Sequence, residues 1–195
     1  MNRIISYIVN MFPYMIITVP IFIIIRLIII KVKNYRLNLK HEFLFLLFTA
    51  FLAGLASQTV IPKLEIGING GLSLQTGGVS SVNIIPFKLL YDTYKEVFEN
   101  DNINYFLINF VGNIAMFVPI GFCLPALWSI KGRYVVLIGF LISLFIEISQ
   151  LFLSRGTDID DLILNTLGTG FGLLLYKLLK RLIKDKFRLP QKSDA

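Results

Sequence analysis

The chain has 195 residues, 55% of them hydrophobic, with a formal net charge of +7 and a mean hydropathy of +0.73. Its apolar residues come in long blocks rather than in periodic faces, which excludes an ordinary soluble domain and points to an all-α, polytopic membrane helix bundle. The single cysteine, Cys123, excludes an intrachain disulfide, and the single histidine, His41, excludes His-rich metal sites and His-based triads.

A helix needs about 20 mostly apolar residues to cross a bilayer. Five blocks qualify: Phe12–Ile30, Phe43–Val60, Tyr105–Trp128, Tyr134–Leu153 and Leu162–Leu179. The first contains Pro13, Pro20 and Arg26. It is too long for a signal peptide, lacks a small-residue cleavage site, and carries its heavier flanking charge after the block. Arg26 lies near one end of this helix and is expected to snorkel to the interface. His41, between Lys40 and Glu42, reads as a solvated loop residue.

Lys and Arg in the flanks set orientation. Thirteen fall on one side, in the loop after the first helix, the loop between the third and fourth, and the tail from Lys177 to Lys192. Five fall on the other: Arg3, Lys63, Lys88, Lys95 and Arg155. The bias alternates across all five spans, so the N-terminus is expected outside and the C-terminus in the cytoplasm. A basic run beside a transmembrane helix marks anionic lipid headgroups, so the lipid bilayer is the expected partner and nucleic acid is not.

The segment Ile61–Asn104 then faces outward. Gly67–Ser81, rich in Gly, Ser, Thr and Asn, reads as turns or a small hairpin. From Phe87 the apolar residues recur as Phe87, Leu90, Tyr91, Tyr94, Val97 and Phe98, opposite Lys88, Asp92, Lys95, Glu96 and Glu99. That spacing predicts an amphipathic helix with Pro86 in its first turn. Such a helix either lies in the outer interface or packs across the mouth of the bundle.

Polar groups inside a bilayer are costly and need a partner or a purpose. The dense polar patch runs from Glu147 to Asn165. Glu147 and Gln150 share a face near the outer end of the fourth helix. Asp158, Asp161 and Asn165, at spacings of three and four, line one face of the start of the fifth, and Gly168 and Gly172 continue it as a stripe that admits a neighbouring helix. Asn109 and Asn113 share a face in the outer half of the third helix, which also carries Pro119, Gly121 and Pro125, read as a shaped helix that makes room for its neighbours.

Three readings of the patch stand side by side. It is a satisfied network in which Arg155 pairs with Glu147 or an aspartate and acidic residues suit the helix N-terminus. It binds a polar headgroup or lipid-linked sugar, through Asn113, Gln150, Arg155 and Asn165, with Arg155 on a phosphate and the amides on hydroxyls. Or it is catalytic, with Glu147, Asp158 and Asp161 as candidates and Asp158 with Asp161 as candidate metal ligands. The residues leave the cofactor, and whether the protein is an enzyme, open. A small transporter fits less well, because the polar groups collect at one mouth rather than forming a relay across the later spans.

These residues together resemble the VanZ-like family: Asn83-x-x-Pro86-Phe87, then Asn113 with Phe117, Pro119, Gly121 and Pro125, then Glu147-x-x-Gln150, Arg155-x-x-Asp158-x-x-Asp161 and Asn165-x-x-Gly168. The resemblance covers about Asn83 to Tyr176 and adds Asn83 to the candidate ligand-binding residues. Asp160 is an extra acid without an assigned role. The resulting division is two transmembrane helices over residues 1–60, an outer loop with an interfacial helix over 61–104, a VanZ-like three-helix core over 105–179 and a basic cytoplasmic tail over 180–195. The resemblance implies a bacterial cell-envelope protein that acts at the outer face on a lipid-linked or cell-wall component, with low-level resistance to teicoplanin and lipoglycopeptides. The alternative is a non-enzymatic membrane scaffold whose outer polar cluster is structural.

Overall fold

The apolar blocks become long helices because, without water, a backbone must satisfy its own hydrogen bonds. The computed structural model describes residues 3–33, 38–62, 64–66, 72–74, 82–153 and 156–186. Its helices are α1 (Arg3–Lys33), α2 (Leu39–Thr59), α3 (Lys88–Phe98), α4 (Ile103–Leu127), α5 (Gly132–Leu151) and α6 (Ile159–Lys186). All except α3 are long and apolar enough to cross a membrane. The fold is an all-α membrane helix bundle.

Helix α4 and helix α6 run in the same direction and form the central pair, with α5 antiparallel beside α6 and α2 against α4. Glycine sets how close the central pair comes. A methyl group at Gly121 would strike the backbone of Thr169, one at Gly168 the backbone of Ile114, and one at Gly172 the backbone of Val118. The predicted glycine stripe of α6 is thus the seam against α4, and Gly121 completes it from the other side. Around the seam, Phe117, Ile120, Val135, Ile146 and Leu173 form the buried core.

Helix α1 packs along α2 at the edge, its side chains largely exposed toward the region that lipid occupies. Gly54 on α2 gives way to Met11 and Met15. Arg26 does not simply snorkel. Its Nε donates to Glu42 Oε2 at 2.7 Å and its terminal nitrogen to Glu42 Oε1 at 2.5 Å. This two-pronged ion pair joins α1 to the first turn of α2. His41 is likewise not a loop residue. It sits in that same turn, after Asn38 caps the helix, with its Nε2 3.2 Å from the Leu127 carbonyl oxygen at the end of α4. Each spanning helix starts earlier than predicted, most of all α1, which begins at Arg3; α2, α4 and α5 end one or two residues sooner, while α1 and α6 run on past their predicted ends.

In the outer segment, strands β1 (Leu64–Ile66) and β2 (Leu72–Leu74) pair antiparallel, with Leu64 opposite Leu74 and Ile66 opposite Leu72. This is the small hairpin that the turn-rich sequence implied; residues 67–71 and 75–81 lie outside the described residues. Strand β3 (Val82–Asn83) pairs in parallel with β4 (Thr157–Asp158), which precedes α6. Pro86 does not enter α3. Phe87, in the left-handed region at φ 65°, breaks the chain direction first, and the helix begins at Lys88. Within α3 only Leu89 is buried, while Leu90, Tyr91, Tyr94 and Phe98 are exposed, so its apolar stripe does not close over the bundle mouth.

Candidate functional site

The direction of each span brings three helix ends together. Helices α4 and α6 start at the end from which α3 emerges, and α5 finishes there. Each places polar residues in its terminal turns: Asn109 and Asn113 on α4, Glu147 and Gln150 on α5, and Asp160, Asp161 and Asn165 on α6, with Asp158 just ahead of it. The β3–β4 pair adds Asn83, directly opposite Asp158.

Asp158 is the hub. Its Oδ1 accepts from Asn83 Nδ2 at 2.9 Å and from the Asp160 amide at 2.9 Å, the second bond opening α6 as a side-chain cap. Its own amide donates to Glu147 Oε2 at 3.1 Å. The Thr157 hydroxyl meets the Glu147 carbonyl oxygen at 3.3 Å. Glu147 is buried, so this anchoring to the α6 entry replaces some of the hydration it has lost.

Asp161 accepts from Asn113 Nδ2 at 2.5 Å, which ties α6 to α4 at the same level. The Asn113 amide group also donates to the Asn109 carbonyl oxygen, and Asn109 donates in turn to the carbonyl oxygen of Tyr105. This part of α4 is wound wide. Phe106–Val111 is π-helical, and the Gly112 amide reaches back five residues to Leu107. Single wide turns of this kind recur at functional sites. No apolar periodicity reveals this one.

Several of these groups border an open polar cleft. Asn83, Tyr105, Asn109, Asp158 and Asp161 line it together with Lys88 of α3, and its volume is about 270 Å³. A second cleft, of about 230 Å³, lies on the far side of Asp158 toward α5 and includes Glu147. The candidate acids therefore do not share a single chamber. Asp158 and Asp161 face the polar cleft together, and Glu147 lies behind Asp158. Among the described residues no group of three or more His, Cys, Asp or Glu is arranged to hold a metal ion. Asp158 and Asp161 supply two carboxylates to their cleft, fewer oxygens than a divalent cation needs without help from water or carbonyls.

The remaining sequence-derived candidates divide. Asn165 lies deeper, buried, with Nδ2 donating to Ser143 Oγ at 2.9 Å on α5. Thr169, fully buried one turn further, donates to the Asn165 carbonyl oxygen. This is a polar tie between α5 and α6 rather than a cleft wall, and Ser143 and Thr169 are members of it that the sequence reading missed. Gln150 keeps a buried side-chain oxygen with no partner among the described residues and borders neither cleft. Arg155 lies outside the described residues.

Asp160, the acid without a role in the sequence, proves to be a clamp. It is buried, and its two oxygens accept from the amides of Phe87 and Leu89 at 2.6 and 2.7 Å. It thus holds the entry of α3 onto the start of α6.

A five-span helix bundle with polar chemistry gathered at one end defines a multi-pass membrane protein of the α-helical class. Its sequence from residue 43 to residue 180 matches the family model described as VanZ/LLP1, which spans more than half of the chain, and the protein belongs to that family. The match begins in α2, ahead of the Asn83 motif, so the family unit takes in α2 as well as the three helices around the glycine seam. No curated protein and no solved structure matches the chain significantly.

Proposed function

We propose that this VanZ-family protein acts at the outer face of the bacterial cell membrane, on a lipid-linked or cell-wall component, and so confers low-level resistance to teicoplanin and other lipoglycopeptides. The observation that carries this reading is the open polar cleft bordered by Asn83, Asn109, Asp158 and Asp161 at one end of the spans. Lys and Arg bias supports an outward orientation for that end. Its N-terminus is then outside and its C-terminus in the cytoplasm, and α3, with Leu90, Tyr91, Tyr94 and Phe98 exposed, lies in the outer interface.

In this reading Asp158 and Asp161 contact the ligand from the cleft, Asn83 and Asn113 hold them in place, and Arg155, three residues before Asp158 in the sequence, also takes part. Glu147 orients Asp158 and is a buried carboxylate available as a base. The test is expression in a teicoplanin-susceptible Gram-positive host. Glu147→Gln, Arg155→Ala, Asp158→Asn and Asp161→Asn proteins that reach the membrane at normal level should return susceptibility to that of the empty vector. Wild-type protection in all four would refute the site.

One observation favours a scaffold instead. The bonds from Asn83 to Asp158, from Asp158 to Glu147 and from Asn113 to Asp161 each join separate chain segments. A scaffold requires that the same substitutions lower protein stability and protection together. A stable, unprotective variant excludes it.

A further inference from the structure

The polar cleft has an apolar neighbour. A groove of about 210 Å³ runs between the first turn of α3 and α6, lined by Leu89, Leu90, Phe110, Ile163, Leu164 and Leu167. Its floor is buried at Leu89 and Leu164, while its rim is open, with Leu90 51% and Leu167 49% exposed. Leu167 lies eight residues into α6, about 12 Å along the span. The groove therefore descends from the polar end into the hydrocarbon depth of the adjoining leaflet and opens sideways to it.

The first turn of α3 divides the two spaces. Lys88 borders the polar cleft, Leu90 the apolar groove, and Leu89 both. Asp160 fixes this partition by holding the amides of Phe87 and Leu89. Each space alone is smaller than the ~300–1,000 Å³ of common ligand pockets, and the two taken together fall within that range. A polar chamber and an apolar channel joined across one side chain, the channel open to lipid, match a molecule with a head, a junction and a tail.

The polar chamber's described lining selects the head. Two carboxylates, two side-chain amides and a tyrosine border it with one lysine. Carboxylates accept from hydroxyls and repel phosphate oxygens. We propose that the paired clefts bind a single membrane amphiphile with a neutral, hydroxyl-rich sugar headgroup. The head lies between Asp158 and Asp161, and one acyl chain runs past Leu89 along Leu164 and Leu167. This deepens the outer-face reading, on which it rests, by naming the class of ligand.

The test uses full-length protein in phosphatidylcholine nanodiscs, titrated separately with diglucosyl diacylglycerol and with phosphatidylglycerol, with retention read by native mass spectrometry. The sugar lipid should be retained about tenfold more strongly than phosphatidylglycerol. Leu167→Trp and Leu90→Trp, each filling the groove from a half-exposed rim, should lower sugar-lipid retention about tenfold and leave phosphatidylglycerol retention unchanged. Equal or stronger retention of phosphatidylglycerol overturns the headgroup assignment on the wild-type protein alone. Unaltered sugar-lipid retention in whichever tryptophan variant reconstitutes overturns the acyl channel. If the cluster substitutions abolish protection while neither lipid is retained, the amphiphile falls and the outer-face reading stands. If the sugar lipid binds as described while those variants still protect, the outer-face reading falls and the lipid site stands.

Discussion

Asp160→Ala removes one side chain but should release a whole helix entry. In the native protein its carboxylate accepts two backbone amides, from Phe87 and Leu89, at 2.6 and 2.7 Å. Hydrogen bonds to a charged group contribute about 1.5–3 kcal/mol each. The two do not count equally. Phe87 is exposed, so its amide regains water when freed, whereas Leu89 is buried and its amide is left without an acceptor unless the turn opens. Taking nearly the full value for Leu89 and a fraction for Phe87 gives about 3 kcal/mol. That is roughly a hundredfold rise in the population with the start of α3 detached. Hydrogen–deuterium exchange of the protein in nanodiscs, followed on peptides covering Ile85 to Phe98, should show the amides of this segment losing protection by that factor. Exchange at the glycine seam should stay slow. Asp160→Asn keeps one acceptor and should show a smaller loss. Unchanged exchange across Ile85–Phe98 in a folded Asp160→Ala protein would refute the clamp.

Other consequences can be checked more briefly. Gly168→Leu or Gly172→Leu should abolish recovery of folded protein, because each added side chain meets the α4 backbone, while Gly170→Leu, with open space beside it, should be recovered at the wild-type level by size-exclusion chromatography. Arg26→Ala should destabilise the protein by about 2 kcal/mol in detergent unfolding, between the values for exposed and for fully buried pairs, because it strands the Glu42 carboxylate. Arg26→Ala with Glu42→Gln should recover most of that loss. For orientation, a membrane-impermeant maleimide added to intact cells should label Asn100→Cys and miss Ser129→Cys; the native Cys123 is buried and should not react. Labelling at Ser129→Cys alone would invert the topology and with it the outer-face reading.

The bundle was legible because hydrocarbon admits few alternatives: a 20-residue apolar block has to be a helix. The alternating direction of such blocks then places the start of α4, the end of α5 and the start of α6 at one level. Helical spacing within each block was enough to bring Asn113, Glu147, Asp158 and Asp161 to the same end. The features that escaped are non-local or break periodicity. Asp160 meets amides more than seventy positions earlier in the chain, and nothing in either stretch indicates the pairing. Arg26 looked like a residue bound for the interface because its partner, Glu42, belongs to the next helix. Strand β3 spans only two residues, too few for an alternation to appear. The tie from Asn165 to Ser143 on α5 also escaped, since Ser143 is an unremarkable small residue within an apolar span.

The clamp on α3 also bears on how this part of the molecule can diversify. Asp160 grips main-chain amides, which nearly every amino acid supplies, so mutation at position 89 leaves a donor in place unless proline arrives there, and position 87 needs only a residue that tolerates its left-handed backbone. Side chains along the helix are therefore free to drift while its attachment is inherited unchanged. Descendants of one ancestor can exchange the residues that border the two clefts, and with them the molecules they favour, without having to invent a new way of mounting the helix.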